Sequence, residues 1–232
     1  MTKVVVLQSN YIPWKGYFEL IHEADIFCFY DEVQYTKNDW RNRNQLLNPH
    51  GKFWLTIPIN KEAVKLTISQ VELPKENWRK KHFRTIEQTY SHAPFKKKVL
   101  DLLYPFYHDK TLVKLSEFNQ QLTEKLVWYM GIKTELVNSA NYALEGDRIS
   151  RLICLLKQLE ATAYLSGPSA KNYLENGESA FKKANIDLIY KCYGPYMPYR
   201  KMTDPSYEFI SIIDLLMHVN QEDCLKYICS IH

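Results

Sequence analysis

Three stretches of the chain gather side chains able to hold or transform a charged small molecule. The densest is Asp31–Asn44, which places Asp31, Gln34, Lys37, Trp40, Asn42, Arg43 and Asn44 within one short span, with Arg41 among them. Arginine clamps a phosphate or carboxylate through a planar fork and lysine acts as a point charge, so this mixture suits an anion. Gln8–Tyr17 is the second. Gln8 and Asn10 offer donors and acceptors, Tyr11 and Trp14 offer flat faces for stacking, and Gly16 would let backbone N–H groups approach an anion. In the third, Ser166 and Ser169 flank Gly167 ahead of an expected helix, an arrangement that suits either an anion cradle or a helix cap. His82, next to Lys80 and Lys81, is a candidate general base because an unperturbed imidazole titrates near neutrality, although a buried structural histidine is the commoner case. Asp147 and Arg148 read first as a cap and helix start. No HxxxH or HExxH spacing, Walker A loop, G-x-S-x-G elbow or serine triad is present, so no metal site is expected.

These residues need elements to position them. Lys3–Leu7 is a short β-branched run expected to form a buried strand, broken by a loop marked by Pro13 and Gly16. Helical spacing over 17–23 and an apolar strand at Asp25–Tyr30 complete the start of a βαβ unit, which implies parallel pairing. Strands are expected at Phe53–Ile59 and Lys65–Val71, and helices over 77–91, 95–105 and 112–129. Beyond them the pattern alternates: strand 134–138, helix 147–159, strand 163–166, helix 172–184, strand 186–190 and a last helix over 211–218. The expected architecture is α/β: one domain over 1–232 with a mostly parallel open, Rossmann-like sheet and a helical insert about 95–130. In such sheets ligands bind beyond the carboxyl ends of the strands, where Gln8 and Ser166 fall.

Composition narrows the classes of function. A formal charge of +4 is too mild to require nucleic acid, and an anionic small molecule is the expected partner, with a homo-oligomer as a further option. Five cysteines without a CxxC pair read as free thiols in a reducing compartment. The apolar start is too short for a leader and no stretch has the length of a membrane span, so the expected location is cytoplasmic. Aromatics at 14%, with 17 Tyr and 5 Trp, fit either a pocket-rich surface or an aromatic core.

The same motifs resemble the WbqC-like family. The match runs through Gln8, Asn10, Tyr11, Pro13, Trp14, Gly16, Tyr17 and Phe18, then Asp31, Val33, Gln34, Tyr35, Lys37, Trp40, Asn42, Arg43 and Asn44. It continues at Trp78, Lys81 and His82, Gly146–Arg148, Tyr164–Ser169 and Ser211–Leu216, so it covers nearly the whole chain. Three places depart from the pattern: Ser9 stands where proline is common, and Pro198–Met202 and Met217–Val219 differ. The resemblance implies a role in O-antigen or related surface-polysaccharide synthesis, as an amide-forming acyl or glycine transferase acting on an amino sugar or sugar nucleotide. It supplies no catalytic residues. Chemistry alone nominates His82 or Asp31 to take the amine proton. Two other functions stay open. One is a nucleotidyltransferase-like activating enzyme, in which Trp14 and Tyr17 would stand where that superfamily carries histidines. The other is a non-catalytic sugar-nucleotide binder. The cofactor is unknown.

Overall fold

The computed structural model describes residues 1–171, 177–201 and 204–231. Five strands, β1 (Lys3–Leu7), β2 (Ile26–Phe29), β5 (Glu135–Asn138), β6 (Ala163–Ser166) and β7 (Asp187–Tyr190), form one all-parallel sheet in the order β5-β2-β1-β6-β7. The expected Rossmann-like α/β architecture is therefore present, with the first strand at the centre and the direction of winding reversing between β1 and β6. The register pairs Val4 with Ile26 on one side and with Tyr164 on the other. Val4, Val5 and Val6 are all buried. A strand covered on both faces needs no polar alternation, which is why the sequence shows a continuous apolar run.

Alternate residues serve two cores. Val5, Phe27, Phe29 and Leu165 face α1 (Lys15–Glu23), whose Phe18, Leu20 and Ile21 are buried against them. Val4, Val6, Cys28 and Tyr164 face α5 (Arg148–Gln158) and α6 (Glu178–Lys183), contributing with Leu152, Leu155, Leu156 and Phe181.

The connection from β2 to β5 carries the insert. It opens with an antiparallel hairpin of β3 (Arg43–Asn48) and β4 (Gly51–Thr56), which the sequence reading places in an irregular loop and a later strand. Three helices follow, α2 (Trp78–Thr89), α3 (Lys96–His108) and α4 (Leu115–Tyr129), so the helical part begins well before residue 95. The expected strand at 65–71 is absent. That stretch makes one β-bridge, Thr67 with Gln34, and a short 3-10 turn at Ile68–Gln70, because Thr67 and Gln70 close a capping box. The expected helix over 172–184 is described only from Glu178 to Lys183; residues 172–176 lie outside the described residues. The last helices are α7 (Ile212–His218) and α8 (Cys224–Ile228).

A buried ion network ties the first helix to the last segment. Lys191, just after β7, reaches Glu19 at 2.8 Å and Glu23 at 2.6 Å from α1. Glu19 also accepts hydrogen bonds from the Tyr196 hydroxyl and the Ser230 backbone N–H, both at 2.6 Å. No helix among the described residues is long and apolar enough to cross a membrane.

Candidate functional site

A cleft of about 650 Å³ opens at the carboxyl edge of the sheet. Its floor is Val6, Leu7 and Tyr164, and its walls come from the loops after β1 and β2 and from the first turns of α5. Besides the phenols of Tyr30 and Tyr164, the polar side chains that line it are Gln8, Glu32, Gln34, Arg148 and Arg151. The place follows from topology, because strands wound in opposite directions leave a gap outside their carboxyl ends.

The two glutamines are held in complementary orientations. Gln8 Oε1 accepts from Arg41 at 3.1 Å, which leaves its amide N–H₂ to donate. Gln34 donates Nε2 to the Val64 carbonyl at 2.8 Å, which leaves its carbonyl oxygen to accept. Glu32 accepts a hydrogen bond from the Ser139 hydroxyl through one oxygen. Arg148 and Arg151 are three residues apart on α5 and so share a helix face. Arg151 hydrogen-bonds to Tyr30, whose phenol is pushed up by burial and drawn back by that guanidinium, while its Nε is buried without a partner. Asp147 caps α5 by accepting from the Ser150 N–H at 2.9 Å, the capping role its position implies. The cap sits behind Gly146, whose φ of +89° lies in the left-handed region and where a Cβ would stand 2.7 Å from Ser150.

The loop after β1 is braced from behind by the Asp31–Asn44 stretch. Arg41 donates to Asn10 as well as Gln8. Asn44 donates to the carbonyls of Tyr11 and Ile12 at 3.2 and 2.9 Å, fastening a backbone turn in which Ile12 has a φ of +38°. Asp31 is fully buried and accepts from the Ser9 N–H at 2.8 Å and from Gln120 at 2.7 Å. Burial pushes its carboxyl above the usual range, against those hydrogen bonds. Asp31 thus lies beneath the loop, and the carboxylate that lines the cleft is its neighbour Glu32. Asn42 is buried as well, bonded to Ile57 through both side chain and backbone.

Other candidates fall elsewhere. Tyr11 is fully buried, its hydroxyl 2.8 Å from His82 Nδ1 and 2.6 Å from the Tyr107 hydroxyl. His82 Nε2 lies 3.1 Å from the Thr56 carbonyl, so that nitrogen carries the proton and Nδ1 accepts from tyrosine. Burial drives this imidazole down to about 4. Both ring nitrogens are occupied in the interior, and His82 does not line the cleft. Trp14 packs against Tyr193, Phe209 and Tyr196, with ring centroids 4.9, 5.2 and 6.4 Å away. A Cβ on Gly16 would stand 2.3 Å from the Trp14 ring, so this glycine admits the indole. Trp40 and Arg43 belong to a surface stack on the hairpin, with Trp40 5.6 Å and the Arg43 guanidinium 4.1 Å from the Trp54 ring. Lys37 is exposed. Ser166 is buried and donates to the Tyr164 hydroxyl at 3.3 Å, whereas Ser169 is exposed in a three-residue turn, Pro168–Ala170. Of the nominated residues, the structure brings Gln8 and Gln34 to the cleft and places Asn10, Asp31 and Asn44 in its support. Sequence reasoning passed over Glu32 and Arg151; the available signal was the i, i+3 arginine pair behind a glycine turn and a capping aspartate.

An open, doubly wound α/β protein with a polar cleft at its winding reversal is the class that fold and site define. The WbqC-like protein family matches residues 8–225, and the chain belongs to that family. It is also 39% identical over 230 residues to the uncharacterized protein Rv1507c of Mycobacterium tuberculosis, an alignment covering 98% of this chain and 99% of that protein. No solved structure matches it.

Proposed function

We propose that the protein is an amide-forming transferase that joins an activated acyl or aminoacyl group to an amino sugar, carried as a sugar nucleotide, in surface-polysaccharide synthesis. The observation that carries this reading is the pairing of Arg148 and Arg151 with Glu32 in one cleft at the carboxyl edge of the sheet. The two guanidinium groups suit a phosphate or pyrophosphate. Glu32 suits the proton of an attacking amine. In the proposed step the amine nitrogen bonds to the acyl carbon and the bond from that carbon to its phosphate or thiolate leaving group breaks. The amine proton passes to the Glu32 carboxylate. Gln8 and Gln34 present a donor and an acceptor for sugar hydroxyls or the acyl carbonyl.

The test incubates the pure protein with amino-sugar nucleotides and a panel of acyl phosphates and thioesters, with the amide followed by mass spectrometry. Glu32→Gln should lower kcat about 100-fold with little change in KM. Arg148→Ala or Arg151→Ala should raise KM for the anionic substrate about tenfold. Inactivity across the panel, or a fully active Glu32→Gln enzyme, would overturn the reading. A second reading, nucleotide activation, is favoured by the strand order, since nucleotides settle at this reversal in open α/β sheets. Release of pyrophosphate from ATP would select it.

A further inference from the structure

A second cleft, of about 410 Å³, lies between the hairpin turn, the C-terminal end of α2 and the C-terminal end of α7. From the lining residues we infer that it binds the phosphate group of a small phosphate monoester, independently of the transferase reading. Four basic side chains line it, His92, Arg200, Lys201 and His218, together with the amide of Asn48.

Arg200 is fixed by a buried anchor. Asp214, with no solvent exposure, accepts Arg200 Nε at 2.9 Å and Nη2 at 2.6 Å, and also the Tyr199 hydroxyl at 2.6 Å. A carboxylate gripping one edge of the guanidinium leaves Nη1 as an oriented donor. His218 donates Nδ1–H to the Asp214 backbone carbonyl at 2.7 Å, so its Nε2 is the nitrogen left to meet a ligand. Lys201 and His92 are exposed and make no hydrogen bond or ion pair with a described residue. No acidic side chain lines this cleft, and Asp214 behind it is already engaged. Asp214 also lies 4.0 Å from His218 Nδ1, so Arg200 and His218 share one carboxylate while Lys201 and His92 add cationic or donor groups with no acid in the lining; such a set on a concave site suits a phosphate group. The volume exceeds that of the ion itself, which leaves room for a small ester. Arg200, Lys201 and His218 have no part in the sheet cleft.

The two histidines make the test local, because none lines the sheet cleft. The full chain is titrated with inorganic phosphate, with glucose 1-phosphate and, at equal ionic strength, with chloride, and the imidazole resonances of His92 and His218 are followed by NMR. Saturable shifts with the phosphates and none with chloride are expected. Lys201→Ala, an exposed position that should not disturb folding, is expected to weaken binding about tenfold. Arg200→Lys, which keeps a cation beside Asp214 but loses the fork, is expected to do the same. Tighter binding of glucose 1-phosphate supports the ester; tighter binding of inorganic phosphate keeps the anion site and overturns the ester. No saturable shift, an equal response to chloride, or unchanged affinity in Lys201→Ala would overturn the site itself.

Discussion

His82 is held neutral between Tyr11 and the Thr56 carbonyl, and that has a cost in acid. An unfolded imidazole takes a proton near 6.5, whereas the buried one resists until about 4. Between those values the unfolded chain binds more protons than the folded one. Stability from this residue is therefore complete above 6.5 and is lost as pH falls toward 4. Urea unfolding of the wild type should lose about 2 kcal/mol from this group between pH 7 and pH 5. In His82→Gln that portion of the slope should vanish, and an unchanged slope would show that the histidine titrates alike in the folded and unfolded chain. The identity of a residue did not reveal this environment. His82, Tyr11 and Asp31 have the right chemistry for a site, but the loop that carries Tyr11 turns it inward at Ile12, while Glu32 sits at the surface of its own loop. A left-handed turn at a β-branched residue leaves no mark in composition, so which of two adjacent acids faces solvent was not legible.

At the scale of elements, α5 is the part that sets the charge of the cleft. Its N-terminal turn is held by Asp147, and its two arginines ride on that turn. Asp147→Ala should lower the urea midpoint of unfolding, because the Ser150 N–H loses its acceptor. Because it disturbs the turn and not the guanidinium groups, it should also raise KM for the anionic substrate more than it changes kcat. Most elements of the sheet could be read from the chain, since apolar runs bounded by turn residues fix β1, β2 and β6 closely. The hairpin was harder. Arg43–Asn48 carries two buried leucines among polar residues, and its pairing with Gly51–Thr56 supplies the order that local pattern lacks. The helix expected over 95–105 runs on to His108, because the residues after Pro105 still donate normally; the Asp109 N–H bonds to the Pro105 carbonyl at 2.8 Å.

For the molecule as a whole, the network around Glu19 joins residues far apart in sequence. Lys191→Ala would leave Glu19, which is 1% exposed, without its cation. It should destabilise the fold by about 3–5 kcal/mol in urea unfolding, and a loss below about 1 kcal/mol would mean that water reaches the carboxylate. The sheet order too emerges only at this scale. Alternating helices and strands imply parallel pairing, but the central place of β1, and hence where the cleft opens, depends on which way each crossover turns. The Glu19 network also sets a schedule for synthesis. The first helix leaves the ribosome early, carrying an acid whose partners Lys191, Tyr196 and Ser230 are still untranslated. The nascent amino-terminal half can pack α1 on its own strands, but Glu19 stays without its polar partners until Ser230 has been made.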